Sequence, residues 1–226
     1  MKKLILLLLL LNFTTAQAQV AIIQDKDGFT SVREKPSSKA QIIHQLKPNE
    51  VFWYNYDENN ANGDWVAVFI PTNKYSLNGN LCSTQPYFTG YIHKSKLLPL
   101  DKLKPYTSLG FTFHYSTKKF DPNSHYIDYR DGKIVTAVDG RHPWGTDGNM
   151  PVTEVEAMVV SVNGKSIDVP KHLYMDIFEC DNEFQVYENG DTYFVHQWNS
   201  DGAGAYEIVW VLTNWGLTQR LVGNMI

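Results

Sequence analysis

Residues 152–170 read VTEVEAMVVSVNGKSIDVP. A β-branched, apolar run meets Asn163-Gly164, and a second short run follows. Asn-Gly admits positive φ at both central positions of a two-residue turn, so the stretch predicts a β-hairpin. Working outward, the same pattern recurs. SHYIDYRDGKIVTAVDG (124–140) turns at Asp131-Gly132, and NEFQVYENGDTYFVHQWN (182–199) turns at Glu188-Asn189-Gly190-Asp191. GAYEIVWVLTNWGLTQRLVG (204–223) turns near Asn214-Trp215-Gly216. LGFTFHYS (109–116) alternates as a further strand, and PKHLYMDIFECD (170–181) holds the one expected helical turn. Four hairpins with no helix between them predict an antiparallel β-sandwich or jelly-roll-like domain over residues 106–226.

The N-terminus has a different character. Lys2 and Lys3 precede residues 4–11, all Leu or Ile, and Ala16-Gln17-Ala18 supplies small-x-small spacing. This is the layout of a secretory signal peptide (1–18) cleaved after Ala18. The apolar run falls short of the roughly 20 residues of a spanning helix, so no membrane span is expected after cleavage. The expected location is periplasmic or secreted. Loss of Lys2 and Lys3 takes the formal charge from −4 to −6. Residues 25–98 carry eight basic and seven acidic groups, whereas residues 105–226 carry eight and sixteen. An acidic second half argues against nucleic acid, whose phosphates require a basic face.

The first half contains five short strands in about 75 residues, at DKDGFTSVREKPS (25–37), AQIIHQLKPNE (40–50), VFWYNY (51–56), WVAVFI (65–70) and GYIHKSKLL (90–98). Such spacing predicts a small barrel. With LLPLDKLKPY (97–106) as a stiff connector, the expected division is a barrel at 19–98, a linker at 99–105 and the sandwich beyond. The whole is an all-β chain.

These strands carry a resemblance. An Asp-Gly turn at Gly28, the Val32-Arg33 strand, Pro36, Leu46, Trp65, Val68 and the closing Gly90-Tyr91-Ile92 are similar in order to bacterial SH3-like (SH3b) domains. The resemblance implies an SH3-like barrel over residues 20–98, with Trp65 in its core beneath Gly90 and Tyr91. It implies a wall-targeting role, and hence a cell-wall polymer or an envelope protein or peptide as partner. Ser31, Glu34-Lys35 and Asn49 depart from the family pattern. So does the insertion at 70–89, where the family has a short connection. WGTDGNMP (144–151) and SDGAGAYEIVW (200–210) resemble a C-terminal module of uncharacterised secreted bacterial proteins, which implies a domain boundary and no chemistry.

The insertion carries Cys82, Tyr75, Tyr87 and Phe88. It either presents aromatics to a ligand or packs onto the neighbouring domain. Two cysteines in an oxidising compartment leave one intramolecular pairing, Cys82 with Cys180, in competition with two free thiols. Tyr91 on the closing strand and two loop tryptophans, Trp144 and Trp215, complete the candidate ligand-binding aromatics. The alternative for Trp144 and Trp215 is a plug at a barrel end.

Familiar catalytic patterns are absent. Cys180 sits among acidic residues, which raise a thiol pKa instead of activating the group. There is no Gly-x-Ser-x-Gly, and the seven histidines (44, 93, 114, 125, 142, 172, 196) show neither HExxH nor CxxC spacing. No metal and no cofactor are expected, although the Asp-Gly turns GTDGN and NSDGAG offer oxygens to calcium. Asp147, Glu154, Glu156 and Asp201 are the carboxylates available to a glycan hydrolase. The leading expectation is a non-catalytic envelope-binding protein. A carboxylate hydrolase and a periplasmic inhibitor or immunity-type protein are the alternatives.

Overall fold

The computed structural model describes residues 19–55, 63–77, 86–199 and 204–224. Seven strands make the first sheet: β1 (Gln19–Ile23), β2 (Thr30–Arg33), β3 (Ile42–Leu46), β4 (Phe52–Asn55), β5 (Trp65–Pro71), β6 (Tyr87–His93) and β7 (Leu97–Pro99). They pair antiparallel in the order β3-β2-β6-β5-β4-β1-β7. Residues from all seven strands, among them Ala21, Val32, Leu46, Phe52, Val68, Ile92 and Leu97, meet in one core. The sheet therefore curls around it. Gly90 faces inward, where a Cβ would lie 2.3 Å from Val32 Cγ1, so a side chain there would force β2 and β6 apart.

Along β5, Val66, Val68 and Ile70 are buried and Trp65, Ala67 and Phe69 are half-exposed. Successive side chains on a strand point to opposite faces, so Trp65 is not in the core as expected. It lies on the outer face, edge-on to His93 at 5.8 Å. Ile70 pairs with Phe88 and Pro71 with Tyr87, so both ends of 70–89 are extensions of the β5–β6 ladder.

Ten strands follow: β8 (Lys104–Pro105), β9 (Phe111–Lys119), β10 (Ile127–Arg130), β11 (Ile134–Val138), β12 (Thr153–Val162), β13 (Lys165–Ile167), β14 (Gln185–Asn189), β15 (Thr192–Asn199), β16 (Tyr206–Thr213) and β17 (Gly216–Gly223). Sheets β13-β12-β9 and β17-β16-β15-β14-β8 pack face to face over a core that includes Tyr115, Val160, Ile177, Ile208 and Trp210. The β10–β11 hairpin stands apart on a small core of its own with Phe120 and Phe178. The four hairpins read from the sequence are present at their expected turns. Asp131, Gly132, Asn163 and Gly164 all take positive φ.

A third core joins barrel and sandwich. Val20, Ile22, Val51 and Trp53 of the barrel meet Val209, Val211, Phe194 and Leu221 of the sandwich. β1, β4 and β16 are consequently buried on both faces. Leu100 and Leu103 lie in the same core, and β8 adds to the five-stranded sheet beside β14. The 99–105 segment is thus packed between the domains and is no free connector.

Candidate groove at the domain junction

A groove of about 460 Å³ opens where the two domains meet. Its barrel wall is β3 with the turn that follows. Glu50 N–H donates to the Lys47 carbonyl at 3.2 Å, with Pro48 second and Asn49 third in the turn. Asn49 has φ 63°, which matches a type II turn, where the third position must be left-handed. That conformation aims the Asn49 amide across the junction. Its Nδ2 donates to Thr192 Oγ1 and its Oδ1 accepts from Asn189 Nδ2, both at 2.8 Å.

Further clamps hold the walls together. The Gln219 side chain on β17 accepts from Val51 N–H and donates to Val51 C=O, each at 2.8 Å. Trp53 Nε1 donates to Glu207 Oε2 at 3.1 Å, and Glu207 also meets His196 Nε2 at 2.8 Å. Arg220 N–H donates to the Lys74 carbonyl at 3.1 Å. The Arg220 guanidinium donates to the Tyr75 carbonyl at 3.3 Å and to Asp176 Oδ1 at 2.9 Å, over the face of Trp210. Arg220 and Asp176 are both fully buried. The groove is therefore preformed by bonds on both walls.

Its lining is polar. Lys47 and Lys74 bring two ammonium groups, Thr192, Thr213 and Thr218 bring hydroxyls, and Gln45, Asn49 and Gln219 bring amides. Among the described residues Glu50 is the one carboxylate in the lining, with Oε1 at 3.8 Å from His44 Nε2. That imidazole nitrogen is buried without a hydrogen-bond partner, and its ring rests edge-on against Phe88 at 5.3 Å. The wall can donate to a ligand's carboxylate, hydroxyl or carbonyl oxygens. Among the described residues its lining holds no cysteine or serine and no second carboxylate, so these residues do not supply the paired acids of glycoside hydrolysis.

The chain matches no protein family, no curated protein and no solved structure. The likeness to SH3b domains rests on the residues quoted above.

The candidate aromatics fall into separate places. Tyr75 packs with Leu77 against the sandwich core, and Phe88 against the barrel core. Tyr87 lies edge-on to Trp53 and Phe69 beside the joining core. Tyr91 is half-exposed on the barrel's outer face, paired with Ala67 and Arg33. Trp144 is 3% exposed, packed into the sandwich core against Tyr206 and His142, and offers no open stacking surface. Trp215 is 86% exposed, with the Lys165 ammonium 5.3 Å from its ring centroid. Lys165 belongs to the opposite sheet, so Trp215 leans away from the groove.

Among the described residues the candidate carboxylates do not converge. Glu154 is buried in ion pairs with Lys118 at 3.5 Å and His125 at 3.3 Å, where His125 also holds Asp139 at 2.7 Å. Burial of Asp139 opposes its ionisation, but the His125 ring and the Tyr126 N–H outweigh it and hold the carboxyl below its ordinary range. Glu156 is exposed on β12, and Asp147 lines a different cavity. Asp201 and Cys82 lie outside the described residues. Among the described residues Cys180 has no disulfide partner, and its thiol is pushed up to about 12, first by burial and then by Asp181 and Glu179. Among the described residues no cluster of His, Cys, Asp or Glu has the makings of a metal site, and no helix is long and apolar enough to cross a membrane.

His44, Lys47, Lys74 and Gln219 were not singled out by the sequence. The partners that face the Pro48-Asn49 turn, Asn189 and Thr192, lie 140 or more positions away. Nothing local encodes that pairing.

Proposed function

We propose that this is a secreted, non-catalytic binding protein that holds a segment of a cell-envelope polymer or peptide in the groove between its barrel and its sandwich. The observation that carries this reading is the preformed, polar groove whose two walls are tied together by Gln219 and Asn49. Ligand sites favour such domain junctions, and a rigid site avoids the ordering cost of closing on its ligand. The two lysines suit carboxylate-bearing material, and the hydroxyls and amides suit sugars or peptide backbone. The signal peptide and the SH3b resemblance support the envelope as the setting.

Cosedimentation of the mature protein with purified sacculi tests the reading. Wild-type protein is expected in the pellet, and a Lys47→Ala/Lys74→Ala double substitution, at two exposed positions, is expected to weaken retention by about tenfold or more, as loss of charge-assisted hydrogen bonds does. Wild-type protein that stays in the supernatant refutes envelope binding. Release of soluble fragments refutes the non-catalytic role.

A further inference from the structure

A second cavity, of about 520 Å³, shares no lining residue with the groove. It brings residues 144–149, from the stretch WGTDGNMP, together with Gly204 and Ala205, which lie more than 50 positions further along the chain. Gly204 sits so close to Asp147 that a Cβ on it would lie 2.7 Å from the Asp147 nitrogen. Gly145, at φ +100°, presses onto Phe178, where a Cβ would lie 2.4 Å from the carbonyl oxygen. Asn149 N–H donates to the Thr146 carbonyl at 2.8 Å around Asp147 and Gly148, both left-handed. Val135 N–H donates to the Gly148 carbonyl at 2.9 Å and ties this turn to β11. Close backbone approaches therefore fix the walls.

The β10–β11 hairpin overhangs this cavity. Its tip, Asp131-Gly132, is left-handed at both positions, and Lys133 N–H closes onto the Arg130 carbonyl at 3.2 Å. Arg130 and Lys133 thus flank the tip, and both line the cavity. Asp147 lines it too, yet no ion pair joins Asp147 to either cation. Among the described residues none of the three has an ion-pair partner at all. Opposite charges around one preformed space, held too far apart to neutralise each other, match a ligand that carries both signs. His142, edge-on to Trp144 at 4.4 Å, adds a ring that burial keeps below its ordinary pKa and hence neutral at neutral pH, able to donate from one nitrogen and accept at the other.

We propose that this cavity binds a small zwitterion, a free amino acid or a dipeptide, with its carboxylate on Arg130 and Lys133 and its ammonium group on Asp147. The pairing is charge-assisted on both ends, the strongest class of hydrogen bond available to such a ligand.

Calorimetric titration of the full mature chain tests this, with alanine, alanyl-alanine, N-acetyl-alanyl-alanine, alanyl-alanine amide and inorganic phosphate as probes. Saturable binding of alanine or alanyl-alanine is expected, with either capped dipeptide weaker by about tenfold to a hundredfold. Arg130→Ala/Lys133→Ala alters two exposed tip residues and is expected to abolish binding while circular dichroism and Tm stay at wild-type values. Asp147→Asn removes the charge but keeps a residue that tolerates positive φ. In that variant the free and N-acetylated dipeptides are expected to bind alike. Capped forms binding as well as the free ones, phosphate binding as well as the dipeptide, retention of binding in the double variant, or no heat from any probe would each overturn the proposal.

Discussion

Substitution of Arg220 by methionine gives the sharpest check on how the two domains are joined. Arg220 and Asp176 are buried together, Arg220 donates to Asp176 Oδ1, and Asp176 Oδ2 has no hydrogen-bond partner. Methionine keeps much of the side-chain volume over Trp210 but leaves Asp176 as an uncompensated buried charge, which costs about 3–5 kcal/mol in comparable sites. The Tyr75 carbonyl also loses its donor. Each kcal/mol moves Tm by roughly 2–4 °C in a chain of this size, so the expected fall is about 6–20 °C. Urea unfolding followed by tryptophan fluorescence gives the free energy directly. A second arm separates charge from packing. In Arg220→Met/Asp176→Leu no charge is left behind, and the double variant is expected to recover most of the loss, because apolar replacement of a buried pair is often neutral. A single substitution costing under about 1 kcal/mol, or a double variant as unstable as the two singles combined, would refute the account of Arg220 as the compensating charge for buried Asp176.

Other outcomes follow from the same geometry. Trp53→Ala empties a buried site between the domains and removes a donor to Glu207, with an expected cost of about 3–5 kcal/mol in chemical denaturation. Trp65→Ala, on the outer barrel face, is expected to cost under about 1.5 kcal/mol in the same assay, and a core-sized loss would place that ring inside. Stability is expected to fall as pH rises above about 9. The unfolded Cys180 thiol releases its proton near its ordinary value of 9.0 while the folded one holds it to about 12. Buried Tyr115 and Tyr206, also pushed up by burial, act in the same direction. Unfolding free energies between pH 8 and 10.5 check this, and Cys180→Ala is expected to shallow the slope. In the acid range the Asp25–Lys96 pair, at 2.7 Å, holds the Asp25 carboxyl below its ordinary value. Its stabilisation is present above pH 3.8 and is lost as pH falls further, so Lys96→Met is expected to flatten that limb of the stability curve.

The sequence by itself determined the all-β class, the four sandwich hairpins and their turns. These are local properties: Asp131-Gly132 and Asn163-Gly164 are dipeptides that tolerate positive φ and take it in their turns, and two-residue alternation fixes which residues share a face. Where side chains meet partners distant in the chain, local reasoning went astray. Trp65 reads as core by size, but strand register turns it outward. The QVAII strand at 19–23 carries no alternation because the barrel buries one of its faces and the sandwich the other. Arg220, in an apolar run, gives no sign that Asp176 awaits it 44 positions away. The groove and the second cavity depend on such meetings, of β3 with β17 and of Asp147 with Gly204. A site built from two distant segments exists only once a shared core has fixed their separation, and no window of sequence contains that distance.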